Sequence, residues 1–414
     1  MTPLEEVREI VLAQCARGPV VTLPVREARG CVLATAVVAT EPVPPFANTA
    51  VDGYAVRSVD VQNVPVELEV IGEVAAGAVS PVAVREGTAI RIMTGAPIPD
   101  GCDAVVMVED TERIADHGVR IFKTASLGDA IRNAGSDVAA GATVFTPGVV
   151  VTPMVEGVLA SINAQKVSVY WKPRVGVIST GDELVDDGSP LKPGQIRESN
   201  RKMLLQLVEQ SGAEAIDLGI LRDNEEELES VLIKVTSRGV VDALITSGGV
   251  SMGDYDVVKA VLGRIADMRW FQIAMKPAKP FAFGVMPGED RRIVPVFGLP
   301  GNPVSSLMSF ELIARPALRS MMGMPNQFRP VIHAIVDEDV NRKPDGKIHF
   351  DRVHATWGSD GRVHVRRTGP QGSHQLAATA VANAIMAVPD GTGVHAGDTV
   401  EVTFLGPDAG ATAQ

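Results

Sequence analysis

Carboxylates, hydroxyls and glycines gather in three segments of this chain, RVGVISTGDEL, DALITSGGVSMGDYD and RIVPVFGLPGNPVSS, each following an apolar, β-branched run. In the first, Asp182 and Glu183 offer paired oxygens of the kind Mg²⁺ accepts together with substrate phosphates. The same acids also suit the first turn of a helix, and the segment alone favours that plainer role. In the second, Gly248, Gly249 and Ser251 form a turn whose N–H groups and hydroxyl suit a phosphate, with Asp254 and Asp256 close behind. In the third, Pro300 and Pro303 fix a loop presenting Asn302, Ser305 and Ser306, which serves equally as a capping loop. No Gly-Lys-Ser/Thr ending makes it a Walker A loop.

Two cations stand out in MKPAKPFAFG, where prolines hold Lys276 and Lys279 in extended backbone, ready for a multiply charged anion or simply solvated. Similar turn chemistry recurs at Asp52-Gly53 and at Thr94. Seven histidines form no HExxH or paired cluster, and Cys15, Cys31 and Cys102 follow no metal spacing, so buried thiols are expected.

Strands buried on both faces read as continuous apolar runs, and glycine at their carboxyl ends lets backbone N–H groups approach an anion. Such ends of parallel strands are where open α/β sheets bind ligands. From about residue 172 strands alternate with amphipathic helices. One is capped by Ser199 or Asn200 and stopped at Gly212; the next has Asp223 as cap and Glu226 three residues on. The interval 49–137 reads as a separate β module inserted between 18–48 and 138–171, with strands in VELEVIG, AIRIMTG, DAVVMVED and VRIFK. Past Pro325, short alternating strands over 326–408 predict a small β-barrel.

With 414 residues and 45% hydrophobic content, the chain has room for about three domains. A net charge of −12 argues against a general nucleic-acid binder, which needs a basic face. The N-terminus lacks a signal peptide pattern and reads as a helix with Thr2 as cap, Pro3 first and Glu5 closing a capping box. No apolar run is long enough to span a bilayer, so a cytoplasmic protein with no membrane partner is expected.

Taken together, PPFANTAVDGYAV, RIMTGAPIPDGCDAVVMVED, IRNAGSD, STGDELV, GQIRESN, TSGGVSMGDYD, KPAKPFAFG, GLPGNPVSS and the terminal QGSHQLAATAVANAIMAVPDGTGVHAGDTVEV resemble the MoeA family, molybdopterin molybdenumtransferases related to the gephyrin E domain. The resemblance spans nearly the whole chain. It implies an α/β and β multidomain fold: a central MogA-like open α/β sheet of the molybdopterin-binding type (1–17 and 172–325), an inserted β domain (49–137), a discontinuous linking domain and a C-terminal small β-barrel. It implies insertion of molybdate into adenylylated molybdopterin with release of AMP and dependence on Mg²⁺. It implies a homodimer whose cleft joins the α/β domain of one subunit to the inserted domain of the other. A molybdopterin adenylyltransferase and apo-molybdoenzymes are the implied protein partners.

By matching positions, the implied catalytic residues are Asp52, Thr94, Asp137, Glu183, Asp223 and Asp256, the last three also holding the metal. Gly248, Gly249, Ser251, Pro300 and Pro303 would bind the pterin nucleotide. Lys276, Lys279, Ser305, Arg352 and Ser373 would bind molybdate. The chain departs from the family pattern at Val51, Asn133, Ser136, Arg197 and Glu198, which leaves a tungstate preference open. Two rival functions remain: a gephyrin-like binding scaffold, for which no long linker is visible, and a nucleotide pyrophosphate hydrolase, which explains only the central segment.

Overall fold

A computed structural model of the chain describes residues 1–114, 117–250 and 256–406. They form two compact units, one of Met1–Val21, Gly30–Val32 and Tyr170–Gln414, the other of Thr22–Arg29 and Leu33–Val169. The chain begins with α1 (Leu4–Gln14), and here the sequence reading needs correction. Pro3 precedes the helix with no side-chain cap, because the backbone of Thr2 is taken up elsewhere: it donates to Gln272 O and accepts from Ala274 N, both at 2.8 Å. Glu5 pairs instead with Arg8 at 2.6 Å.

In the smaller unit, β1 (Gly53–Val56), β2 (Val66–Val74), β3 (Thr88–Ile92), β4 (Ala104–Met107), β5 (Thr111–Ile114) and β6 (Gly118–Ile121) form one sheet in the order β4-β1-β3-β2-β6-β5. Successive residues of a strand point to opposite faces. Accordingly Tyr54 and Val56 join a cluster with Leu68, Val119 and Ile121, while Ala55 joins another with Val74, Ile90 and Ile92. Both faces are therefore covered.

The larger unit continues with β7 (Arg174–Thr180), α2 (Asn200–Ser211), β8 (Glu214–Leu221), α3 (Glu225–Ser237), β9 (Ala243–Ser247), α4 (Val257–Ile265), β10 (Asp267–Gln272), β11 (Met275–Lys276), β12 (Pro280–Pro287) and β13 (Ile293–Leu299). The sheet order is β8-β7-β9-β13-β12-β10, with β8, β7, β9 and β13 parallel and the last two strands antiparallel. β7 is followed by a helix to β8 on one side, and the chain then crosses to β9 on the other. The winding thus reverses between β7 and β9, and ligands bind at such switch points. Leu228, Leu232, Val258 and Leu262 from α3 and α4 pack on Ile178, Leu244 and Val296, and each fully buried side chain of this kind contributes about 1.5–3 kcal/mol.

Gly212, with φ of 99°, ends α2 as its sequence predicts. The cap of α3 differs by one position. Asn224, in extended backbone, accepts from Glu227 N at 3.0 Å, so Asp223 stands outside the helix with its carboxylate unused by the cap. Asparagine caps as well as aspartate, and composition alone could not choose between neighbours.

After α5 (Pro303–Ser309) a π-helical turn, Phe310–Ala314, leads into α6 (Arg315–Met321). Glu311 is buried there and receives Arg329 through two hydrogen bonds of 2.7 and 3.0 Å. The strands β14 (Val331–Val336), β15 (Ile348–Trp357), β16 (Val363–Arg367), β17 (Ala384–Val388) and β18 (Thr399–Phe404) run in the order β15-β16-β14-β18-β17, and β17 pairs back to β15. This closes the expected small barrel around Val353, Val365, Met386 and Val402. β11 adds to its outside, pairing Lys276 with His349 in parallel register.

Candidate active site

At the carboxyl ends of β7, β9 and β13 lies a cavity of about 440 Å³, lined by Thr180, Gly181, Glu183, Asp223, Gly248, Gly249, Asp256, Pro300 and Asn302. It occupies the switch point. Gly249 has φ of 76°, and a Cβ there would lie 2.2 Å from Val258 Cβ, so only glycine lets the turn settle on α4. Glu183 does not begin a helix: Leu184–Val185 runs on as a two-residue strand beside Ile196–Arg197. Its carboxylate folds back over Gly181, whose Cβ would sit 2.5 Å from Oε2.

Asp256 caps α4, its Oδ1 accepting from Val258 N at 3.0 Å and Lys259 N at 3.3 Å. Helix start and cavity wall are the same residue. Ser251 and Asp254 lie outside the described residues. Among those described, no three acids, histidines or cysteines stand close enough to cage a metal. The acids at Glu183, Asp223 and Asp256 line a single cavity all the same.

Pro280 and Asn302 also line a second cavity, of about 700 Å³, whose other walls include Lys276, Lys279, Ser305, Lys343, His349 and Ser373. The two spaces therefore adjoin. Both lysines are exposed, as prolines and extended backbone predict, and Ala278 between them takes a left-handed φ of 74°. Ser305 is 5% exposed at the cavity, and Val304 N donates to Ser373 O at 3.1 Å, which brings the 373 loop against the start of α5. Pro303 begins that helix without lining either space.

Arg352 does not line the cavity. It is fully buried, and its guanidinium donates to the carbonyls of Pro370, Gln371 and Gly372 at 3.3, 3.2 and 3.2 Å. Burial lowers its pKa from the usual arginine value. Its contact is with the loop that carries Ser373.

Asp345 faces the same cavity and accepts from Arg342 at 2.6 Å, Lys347 at 2.8 Å and His349 at 3.2 Å. The Lys347 ammonium, and after it His349, hold its carboxyl well below the usual range. His349 is itself held below the ordinary histidine value by burial.

Glu198 and Asn200, named above only as a departure from the family pattern and as a candidate cap of α2, belong instead to a buried polar set, and Ser199 stands at the start of α2 with no side-chain cap. Glu198, 6% exposed, accepts from Ser179 Oγ at 3.0 Å and Arg201 N at 2.7 Å. Asn200 Nδ2 donates to Ser247 Oγ at 2.9 Å and Gly301 O at 2.7 Å, tying the ends of β9 and β13 to α2. The segment GQIRESN carried the signal, since an acid and an amide beside a helix start are candidates for burial. In the smaller unit, Asp52 accepts from both Thr94 N and Thr94 Oγ1 at 2.7 Å, and the backbone donor, followed by the hydroxyl, lowers its pKa. Asp137 is exposed.

Fold and cavities together define a multidomain protein with an open α/β domain carrying a switch-point cavity, β-rich domains and a closed barrel. Residues 2–163 match the MoeA N-terminal region (domain I and II), residues 176–320 a probable molybdopterin binding domain, and residues 334–405 the MoeA C-terminal region (domain IV). The chain is 39% identical to molybdopterin molybdenumtransferase 2 of Mycobacterium tuberculosis (strain ATCC 25618 / H37Rv), covering 98% of this chain and all of that one. It is 38% identical to a molybdopterin molybdenumtransferase of Haemophilus influenzae over 92% of each. A crystal structure of the molybdopterin biosynthesis moeA protein from Pyrococcus horikoshii OT3 is 30% identical, with a TM-score of 0.79 over 98% of this chain and 100% of that one. The chain belongs to the MoeA family, transferases of molybdenum cofactor biosynthesis.

Proposed function

We propose that this chain inserts molybdate into adenylylated molybdopterin with release of AMP. One observation carries the reading: an acid-lined cavity at a glycine turn opens beside a lysine-lined one, with Pro280 and Asn302 common to both. A tetrahedral dianion and a phosphoanhydride are both anions, so the first suits the lysine-lined space directly and the second suits the acid-lined space only with a cation between acids and phosphates. Lys276, Lys279, Ser305 and Ser373 suit molybdate. Arg352 acts through the 370–372 loop, fixing where Ser373 stands.

Mg²⁺ is the metal of this reading, because carboxylate oxygens are the donors it takes. Glu183, Asp223 and Asp256 line one cavity, and an ion bound to one or two of these carboxylates would complete its shell with water and substrate phosphates. Bound there, Mg²⁺ would offset the negative charge of the phosphoanhydride. In this reading the glycine turn would supply N–H groups for the phosphates and the two adjoining cavities would bring the dithiolene sulfurs to the oxyanion, so that positioning provides most of the effect. Asp52, Thr94 and Asp137 are assigned to the same reaction, and a homodimer is the assembly we assign. Delivery of substrate by an adenylyltransferase, transfer of product to apo-molybdoenzymes and a cytoplasmic location belong to this reading. Among the described residues no helix is long and apolar enough to cross a membrane.

The test is reconstitution with purified adenylylated molybdopterin, molybdate and Mg²⁺, following AMP. Release that needs both molybdate and the metal is expected. AMP released equally without molybdate would favour a hydrolase, and no AMP at all a scaffold.

A further inference from the structure

The α/β sheet has a third cavity, of about 260 Å³, at its opposite rim. Pro173, Asp242 and Ile293, where β7, β9 and β13 begin, line it, whereas Thr180, Gly248 and Pro300 at the far ends line the acidic cavity. Seven residues of β7 separate the two rims, about 23 Å at 3.3 Å per residue. The molybdate chemistry makes no use of this space.

Its walls are of two kinds. Trp171, Pro173, Pro295 and Met321 give flat, apolar surface. The charged groups are nearly all engaged with one another: Asp242 accepts from Arg174 Nε and Nη2, each at 3.0 Å, and from Arg292 Nη1 at 3.2 Å, while Glu289 pairs with Arg292 at 3.5 Å. Arg17 is different. Its guanidinium lies 5.6 Å from the centre of the Tyr170 ring and has no ion-pair partner among the described residues. Of the charged residues lining the cavity, Arg17, Asp242, Glu289 and Arg292, the last three are tied to one another or to Arg174 behind the wall, which leaves the Arg17 guanidinium without a counter-ion among the described residues, beside an aromatic, proline-lined hollow.

At about 30 Å³ per water, the volume equals about nine waters, enough for a fused bicyclic ring. We propose that this cavity binds a small planar aromatic monoanion, with the ring against Trp171 and the prolines and the carboxylate on Arg17. The ring gains from burial and the carboxylate from a charge-assisted hydrogen bond to a fork of donors. Nothing in this assignment depends on the molybdate reading.

The probe is 2-naphthoate, titrated calorimetrically into the full-length protein beside its neutral isostere 2-naphthamide. Saturable naphthoate binding is expected, at least tenfold tighter than naphthamide. R17A is expected to weaken naphthoate at least tenfold and leave naphthamide unchanged. Arg17 is exposed, so the variant should fold; an unaltered melting temperature without ligand, and loss of the naphthoate-induced rise in it, would separate lost contact from lost structure. Equal affinity for the two probes, no binding at millimolar naphthoate, or loss of binding in K276A matching that in R17A would each overturn the assignment.

Discussion

Lys276 and Lys279 illustrate how far single residues can be read. Their setting among prolines predicted extended, exposed cations, and the left-handed Ala278 between them adds a bend that no propensity anticipates. K276A and K279A are each expected to raise the molybdate concentration for half-maximal AMP release at least tenfold, with a smaller effect on nucleotide affinity. Equal losses on both axes would remove the lysines from the oxyanion. Arg352 marks the limit at this scale. A lone arginine on a strand gives no hint that three carbonyls from residues 370–372 will enclose it, because that enclosure depends on a loop some twenty positions away. The pair Asp52 and Thr94 is similar: each was visible as a turn residue, their hydrogen bonds were not. Thr94→Val keeps the backbone donor and removes the hydroxyl, so the Asp52 carboxyl, titrated by NMR, should move up toward about 3.9 without reaching it. No movement would show that the Thr94 hydroxyl contributes nothing to its depression.

Among elements, the helices and strands of the α/β domain follow from hydrophobic period, but the expected caps do not all hold: α2 begins with no side-chain cap from Ser199 or Asn200, and the cap of α3 is displaced by one residue. That displacement has a testable consequence. Asn224→Ala should cost about 1 kcal/mol of stability in chemical unfolding and leave turnover nearly intact. Asp223→Ala should do the reverse, sparing stability and abolishing metal-dependent AMP release; equal destabilisation by both would restore Asp223 to a capping role. The turn after β9 is stricter. Gly249→Ala forces a Cβ into Val258 at a positive φ, and left-handed strain of about 1–2 kcal/mol with overpacking of similar size should lower stability by about 3 kcal/mol. A stable, active variant would mean that α4 yields more easily than its burial suggests. For Ser179, Glu198, Asn200 and Arg201, GQIRESN showed an acid and an amide at a helix start but not their partners: polar residues there usually face water, and only the convergence of β7, β9 and α2 encloses these.

For the molecule as a whole, a central open sheet and a terminal barrel were legible because each has its own period, alternating helices in one and short strands in the other. What periodicity could not express is how the two are joined. Glu311 and Arg329 make one buried tie, across the segment leading from α6 to β14. The barrel wall also carries an acid-sensitive element. Asp345 is held in its charged form by Lys347 first and His349 next, so its contribution to stability is complete above about pH 4 and is lost as pH falls through its depressed native value. Asp345→Asn should therefore flatten the fall in melting temperature from about pH 5 to about pH 2; an acid limb identical to the parent's would assign that fall to other carboxylates.

The two residues of β11 belong by sequence to the segment between β10 and β12, yet their ladder partners Ile348 and His349 lie in the barrel. Lys276 thus stands on a hem stitched from both folds. A free-standing copy of the α/β fold would retain the acids and the glycine turn, and with them a place for a nucleotide, but its lysine would hang from an unsewn edge. In the proposed reading the barrel is the far jaw of a vice for the metal oxyanion, and a copy of the α/β fold without it is expected to lose that grip.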